Sequence, residues 1–585
     1  MPVSFYIMLA IVIPLIILAI ILSSRSRDLS SIKRRVVGDG QHGSARFMTP
    51  DEIRKTYPTI PFTPELWRRG ENRPEPFAVG TVIGFEKHGK KILARLDRSD
   101  SHTMVISTTG GGKTTFFLYP NIELCLACGC SFVCTDSKGD NFRDYAGIAE
   151  SFYGYKSRII DLRNPAQYDH YNLLHLVNKY MDAYKKSGDP ADMARAERYA
   201  KITAKAIVQT KGFDGGGQNA FFYDSAEGLI SAVALIVAEF CEPAERHIVT
   251  VFKLVLELLE HSGSKDPDET WFHVLMKQLP STHKARWLAG AALISPDKSM
   301  ASIMSTAISR MLAFIDSEIE QLICFDSSID TEQLCSEKVA VFIVFPEADK
   351  SKQFLVPLIV KQLYDECIEY ANHHGNKLER RMYYFLDEYG TMPAFPDAEA
   401  MYSAGRSRGI LQLPMIQSLS QLEANYGRNG AETIKECCQN TIFGGLSPLS
   451  NTAVELSKAL DTQTILSGSV STSGRPGGRS QSQQMISRPL MTPDEIRTMP
   501  MGEWIFLKTH EHPMRTQLRR FNFWGITLDC PYEAPAGKLK PIRYADRETL
   551  IRKIRKVFHK VPEPFVPSTP EPVPAAQQPR QIKIY

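Results

Sequence analysis

The sequence has no disulfide framework and no dominant charge. Its eleven cysteines are scattered, without the regular spacing of a small secreted domain, so a reducing cytosol is the setting they suit. The one cluster is CLACGCSFVC, with Cys125, Cys128, Cys130 and Cys134. Its spacing resembles metal ligation. It also spans the end of an apolar helix and the start of an apolar strand, and small buried cysteines suit both places better. The formal net charge is only +4. A polyanionic partner is therefore neither demanded nor excluded, and any nucleic-acid contact must come from a local patch.

Charge is missing altogether from Val3 to Leu22, VSFYIMLAIVIPLIILAIIL. At about 1.5 Å per residue this run matches a bilayer core of about 30 Å, with Pro14 in mid-span. No Lys or Arg precedes it, which argues against a cleaved signal peptide. The basic residues follow: Arg25, Arg27, Lys33, Arg34 and Arg35. By the positive-inside rule everything after Leu22 is cytoplasmic. No later stretch reads as long and apolar enough to span. Residues 1–22 are thus expected to be a single-pass anchor in the cell membrane, and residues 23–40 a basic juxtamembrane linker.

The absence that matters most for chemistry is one glycine. ISTTGGGKTTFF (Ile106 to Phe117) fits the phosphate-loop pattern G-x-x-x-x-G-K-[ST] at Gly112, Lys113 and Thr114, but Ser107 stands where the first glycine belongs. Gly110, Gly111 and Gly112 let the backbone approach phosphate oxygens closely, with Thr115 beside them. Lys113 supplies charge to the β and γ phosphates, and Thr114 offers a hydroxyl to Mg²⁺. The first glycine mainly eases the turn, so Ser107 is tolerable if its φ stays negative. HTMVIST reads as the strand before the loop, and TTFFLYPNIELCLAC as the helix after it.

A second element strengthens the nucleotide reading. MYYFLDE is an apolar strand ending in Asp387, expected to hold Mg²⁺, and Glu388, expected to polarise the attacking water as general base. A third is SAGRSRGILQLPMIQ. Gln417 ends a strand where it can sense the γ-phosphate. Arg406 and Arg408 precede that strand, where an arginine offered to a neighbouring subunit stabilises charge in the transition state. Each has a blander reading, as a solvated strand end or a surface arginine.

The length calls for two to four domains. The runs FAVGTVIGFE, KKILARLD, SFVCTDS, SRIIDL, VAVFIVF, ILQLPMIQ, NTIFGG and GEWIFLKT read as further strands, several apolar throughout, as in a parallel sheet with both faces covered. Between about Asn172 and Leu334 helical signals dominate. Asp189–Pro190 and Ser295–Pro296 read as helix starts, each with Pro at the first helical position. We expect residues 41–171 and 335–560 to form one α/β nucleotide-binding domain, with an all-α domain, 172–334, inserted. Ser467 to Ser487, rich in Ser, Gly and Gln, is expected to be a mobile loop. The Pro-rich tail 561–585 is expected to be disordered. MTPDEIR occurs at Met48 and again at Met491; each reads as a helix start with a capping box, not as a duplication. RETLIRKIRKVFHK (Arg547 to Lys560) is the candidate basic element, for DNA, for anionic lipid or simply as a solvated face.

In their order, the phosphate loop, FVCTDSKGDNFRDYA, IDLRNP…YNLL, FFYDSAEGLISAV, LDEYGTMP, GRSRG…IQSLSQLEANYG, IFGG and RPLMTPDEIRTMPMGEWI resemble the TraG-like coupling proteins of conjugative type IV secretion over roughly residues 40–520. HGSARFMTPDEI resembles the Gram-positive branch. The resemblance implies a RecA-like P-loop ATPase, membrane-anchored and hexameric, using ATP and Mg²⁺. Such a protein accepts a relaxase-bound single strand of DNA and drives it into the type IV secretion channel. It also implies that the all-α domain receives substrate, that Lys113, Thr114, Asp387, Glu388 and Gln417 carry the roles above, and that Arg406 acts in trans. Asp136 and Lys138 match a strand-end motif of no derived role. SKGD stands where Pro and Glu are common in the family, and one membrane span where many members have two. A related motor for protein effectors, or a nucleotide-regulated assembly scaffold, are the alternatives.

Overall fold

The computed structural model describes residues 13–16, 18, 36–75, 80–209, 217, 220–264, 269–472 and 479–558. Most of the expected anchor, the linker up to residue 35 and the Pro-rich tail therefore lie outside the described residues. The chain divides into two compact units.

The first unit comprises residues up to Tyr171, Ser317–Leu322 and Ser327–Lys540. A small antiparallel sheet is formed by β1 (Thr59–Pro61), β2 (Thr81–His88) and β3 (Lys91–Asp97). The main strands are β4 (Thr103–Ile106), β5 (Phe132–Asp136), β6 (Lys156–Asp161), β7 (Val339–Val344), β8 (Met382–Leu386), β9 (Ile410–Ile416) and β10 (Asn440–Phe443). Two more, β11 (Thr462–Thr472) and β12 (Arg479–Pro489), form a separate ribbon, and β13 (Glu503–Lys508) and β14 (Met514–Gln517) follow. The nine-stranded sheet has the order β14-β13-β10-β4-β9-β8-β5-β7-β6. From β10 to β6 all neighbours are parallel; β13 and β14 add antiparallel at one edge. Every residue of β4, β5, β7, β8 and β9 is buried, as their continuous apolar runs require of strands covered on both faces.

The helix Tyr119–Cys128 is buried on all sides. Its one acid, Glu123, is therefore enclosed, and is met by Arg68 in a two-pronged pair (2.9 and 2.8 Å) and by the Tyr153 hydroxyl (2.6 Å). Around it pack Phe62, Trp67 and Trp524, with ring centroids 4.7 and 4.8 Å apart. The cysteine cluster sits in the same core. Cys125, Cys128, Cys130 and Cys134 are free and buried, and burial pushes the thiols of Cys125, Cys128 and Cys134 up. The two MTPDEIR copies each begin a short helix with a complete capping box, at Thr49/Glu52 and Thr492/Glu495.

The second unit comprises Asn172–Asp316, Ile323–Asp326 and the chain from Pro541. It is helical, with long helices His175–Ser187, Pro190–Val208, Ala220–Phe240, Ile248–Leu258 and Asp297–Met311. Asp189 caps the second through its carboxylate, which accepts from the Ala191 N–H at 2.9 Å.

Four expectations need correction. Ala220–Phe240 is a 21-residue helix apolar enough to span a membrane by length and composition, contrary to the reading that no later stretch is. Its residues from Leu229 to Ala238 are buried, so it forms the core of the helical unit. Much of the expected loop 467–487 is strand: β11 and β12 pair antiparallel in register, and residues 36–45 add alongside β11 through the bridges Val36–Ile465 and Ser44–Gln463. Strand pairing joins backbone groups and tolerates polar side chains, so the loop-like composition hid it. The domain boundary also shifts. Residues 317–322 and 327–334 join the first unit, and 541–558 join the second instead of the nucleotide-binding part. The reason is the helix Arg547–Phe558. Its apolar face, Leu550, Ile551 and Ile554, is buried, and its basic residues meet acids of the helical unit, Arg547 with Glu260 and Lys553 with Glu242 (both 2.6 Å). An amphipathic helix committed in this way has no apolar face left to lay on lipid. Finally, Pro296, not Ser295, occupies the cap position of Asp297–Met311.

The buried Arg68–Glu123 pair yields a prediction. Arg68→Ala leaves Glu123 charged and enclosed, and should cost on the order of 3–5 kcal/mol. Urea unfolding followed by tryptophan fluorescence should show the loss; a cost below about 1 kcal/mol would place Glu123 in contact with water.

Candidate functional site

Parallel strands align their carboxyl ends along one edge of the sheet, where helix N-termini and loops form a crevice. The segment after β4 turns back through Thr108–Gly112 into the helical run that begins at Lys113. Gly110 and Gly112 have left-handed backbones (φ 76° and 97°), which side chains other than glycine adopt with strain. Ser107 answers the question of the missing glycine. It is buried, its φ is not positive, and its hydroxyl donates to the Gly445 carbonyl (3.1 Å) beyond β10. The serine thus fastens the loop's entrance to the neighbouring strand. The first turns after Gly112 are wide, the Tyr119 N–H reaching back five residues to the Thr114 carbonyl.

The buried Lys113 side chain lies over the loop, its ammonium donating to the Ser107 carbonyl (2.9 Å) and standing 3.8 Å from Glu388 Oε1. Glu388 follows β8 with a left-handed backbone, φ 55°, a conformation costly for a glutamate and concentrated at functional sites. Its other carboxylate oxygen accepts from Gln417 Nε2 (2.8 Å), and the Gln417 N–H is held in turn by Gln421 (3.1 Å). Asp387 accepts from the Thr114 hydroxyl (3.3 Å) and from the Glu388 N–H (3.1 Å). Burial, and then the adjacent Glu388 charge, push its carboxyl up to about 6. Thr114 and Asp387 are the residues that can hold a divalent cation. Two protein oxygens are the share left to a protein when phosphates and water complete an octahedral Mg²⁺.

These side chains line a cavity of about 240 Å³ with Thr108, Thr109, Gly110, Gly112, Thr115, Tyr119, Asp136 and Lys138 among others. The expected loop and acid residues therefore converge, and Gln417 joins them through Glu388. Arg406 does not. It is exposed on the turn Arg406–Arg408, before β9, after the helix Ala398–Gly405. The cavity lies beyond the other end of that seven-residue strand, about 20 Å away at ~3.3 Å per residue. Arg408 is occupied with Asn372 Oδ1 and the Ala404 carbonyl (both 3.0 Å). Sequence reasoning missed Gln421, Asp140 and Asn141. The last two line the cavity from the helix Asp140–Tyr153, and the run KGDN directly after a strand was their one signal.

Residues 64–524 match the family described as type IV secretory system conjugative DNA transfer. The chain belongs to this family. Its role is accordingly in conjugative DNA transfer through type IV secretion. It is similar to the conjugal transfer protein TraG of Escherichia coli, with 23% identity over 491 residues covering 79% of this chain and 72% of TraG. A stretch of 146 residues, 24% of this chain and 23% of the relative, is 29% identical to a probable TraG of Sinorhizobium fredii. Its fold is that of the plasmid coupling protein TrwB, a RecA-like P-loop domain with an all-α domain. The structure of TrwB with the non-hydrolysable ATP analogue ADPNP aligns at a TM-score of 0.53 and 15% identity, covering 83% of this chain and 97% of TrwB. TrwB in complex with ADP and Mg²⁺ aligns at 0.51 and 15%, covering 72% and 85%.

The raised Asp387 carboxyl makes a pH prediction for this family member. A carboxyl held above its ordinary value favours the folded state fully at low pH, and that contribution is lost as pH rises through about 6. Asp387→Asn should therefore raise the melting temperature of the nucleotide-free protein at pH 7.5, and by clearly less at pH 4.5, where only part of the contribution has been lost. The difference corresponds to roughly 3 kcal/mol at most. Equal shifts at both pH values would mean that Asp387 does not titrate in this range.

Proposed function

We propose that this protein is an ATPase that couples a relaxase-bound DNA single strand to a type IV secretion channel and drives its transfer. ATP binds with its phosphates on Gly110–Thr115. Thr114 and Asp387 would hold Mg²⁺, which would supply Lewis-acid stabilisation of phosphate charge. Glu388, turned toward Lys113 and tied to Gln417, orients water and takes its proton. The observation that carries this reading is the Lys113–Glu388–Gln417 constellation at aligned strand ends, with the strained Glu388 backbone supporting it. The nucleotide complexes of TrwB, a protein of the same fold, support it further.

Arg406 is exposed and remote from its own cavity, which supports its use by a neighbouring subunit in a homo-hexameric ring. The ring would sit at the membrane, anchored by residues 1–22, with its bulk in the cytoplasm, and the helical unit would receive the relaxase.

Turnover of the full-length chain in detergent, with and without single-stranded DNA, tests the function. Stimulation by DNA is expected. ATP hydrolysis indifferent to DNA would favour a motor for protein effectors, and no hydrolysis would favour an assembly scaffold. Glu388→Gln should retain ATP binding and lose about 10²–10⁴ in turnover, because an amide cannot take the proton. Normal hydrolysis by Glu388→Gln would end its role as base.

Arg406→Ala should bind ATP normally and lose about 10³–10⁵ in rate. Mixed with Glu388→Gln it should regain turnover. Some sites in mixed rings then pair an intact Glu388 with an intact Arg406 from the neighbour. Well-mixed rings without recovery would assign Arg406 a role within its own subunit.

A further inference from the structure

We propose that Lys138 is a second cation for the nucleotide, meeting the terminal phosphate from the wall of the cavity opposite the glycine loop. The inference rests on the ATPase reading above. Lys138 is an exposed lysine lining the same cavity as Lys113, Thr114, Asp387 and Glu388, and its ammonium has no ion-pair partner among the described residues. What sets it apart from a solvated surface lysine is its base. The Lys138 N–H donates to Asp136 Oδ1 (3.2 Å), and the Lys138 carbonyl accepts from Arg163 Nη1 (2.7 Å). Arg163 is itself fixed on Asp161 through its Nε and Nη2, both at 3.1 Å.

The residue after it is equally constrained. Gly139 has φ 79°, gives its N–H to Asp136 (2.7 Å), and passes so near Arg163 that a Cβ would fall on the guanidinium. Asp136 also accepts from the Phe142 N–H (3.0 Å), so a buried carboxylate ties the turn that carries Lys138 to the first turn of the helix Asp140–Tyr153. Burying that carboxylate is unfavourable, since burial pushes its carboxyl up. A lysine side chain that only solvates a surface does not need its backbone held by two charged residues.

Charge balance and position point to what Lys138 meets. The cavity is lined by four acids, Asp136, Asp140, Asp387 and Glu388. Asp140 is paired with Arg143 (2.7 Å) and Asp136 is occupied, while Lys113 shares its charge with Glu388 at 3.8 Å. A triphosphate entering here brings roughly four negative charges, and a single shared lysine with one metal ion leaves a deficit of positive charge. The strand order β4, β9, β8, β5 puts Asp387 and Glu388 between the loop and Lys138. The phosphate nearest those acids is the terminal one, and that end of the chain is the part facing Lys138. A diphosphate lacks it. Lys138 is therefore a phosphate-contacting residue that distinguishes ATP from ADP.

The test is titration of the full-length chain, with Mg²⁺, against fluorescent ATP and ADP analogues. Lys138→Ala should raise the dissociation constant for the ATP analogue about tenfold and that for the ADP analogue less than about twofold, the loss of one charge-assisted hydrogen bond. Lys138→Arg should recover most of the ATP affinity. Arg163→Ala leaves the lysine but frees its carbonyl, and should give an intermediate loss confined to ATP. Equal losses for ATP and ADP, or unchanged ATP binding by Lys138→Ala, would overturn the proposal and leave the ATPase reading standing. A wild-type chain that binds neither nucleotide would defeat both.

Discussion

The hydrogen bond from Gln417 to Glu388 joins the ends of β9 and β8, and the geometry of the site depends on it. A glutamate with a left-handed backbone has few ways to hold its side chain still. Here Gln417 grips one carboxylate oxygen and Lys113 attracts the other, so the group is aimed across the mouth of the phosphate loop. Gln417 is in turn fixed by Gln421. Three adjacent strands, β4, β9 and β8, thus supply the loop, Gln417 and the acids, and the sheet's register sets the spacing between them. Pre-organisation of this kind lowers a barrier, because the dipoles need not move when charge develops.

The same sheet accounts for the burial that tunes the acids. Asp387 sits at the end of a strand buried on both faces, and the backbone carbonyl of Asp387 accepts from the Thr135 hydroxyl on β5 (2.9 Å). Its carboxylate has no bulk water behind it, hence its raised titration. A divalent cation held by Asp387 would relieve that cost by binding the ionised form. Metal and nucleotide would then stabilise the strand end they occupy, a linkage between ligand and fold.

Much of this was legible in the sequence, for identifiable reasons. Apolar runs such as VAVFIVF and MYYFL announce doubly covered strands, and the loop and the acid pair are local patterns whose geometry the parallel sheet then aligns. What the sequence concealed was non-local. The Ser107–Gly445 bond explains the missing glycine, but the two residues are far apart in the chain. The ribbon β11–β12 has the composition of a loop and becomes strand by pairing with itself and with residues 36–45. The helix Arg547–Phe558 reads as an exposed basic segment until its partners, Glu242 and Glu260, are brought to it by a distant part of the chain.

Strand β9 has one further consequence for a ring. Gln417 follows its carboxyl end and Arg406 precedes its amino end, and every residue between Ile410 and Ile416 is buried. The strand pairs with β8 over Ile410–Pro414 and with β4 at Met415 and Ile416, and a buried strand within a sheet is a stiff connection. On the proposed reading, one end of β9 senses the γ-phosphate of its own subunit while the other presents an arginine to the next. A displacement of Gln417 when phosphate leaves would then be passed along the strand toward Arg406. Successive sites would be coupled through the backbone of each subunit, without a separate signalling element. A ring whose sites fire in order along a strand of DNA needs such a property, and on the proposed reading it would follow from two short polar segments at opposite ends of one buried strand.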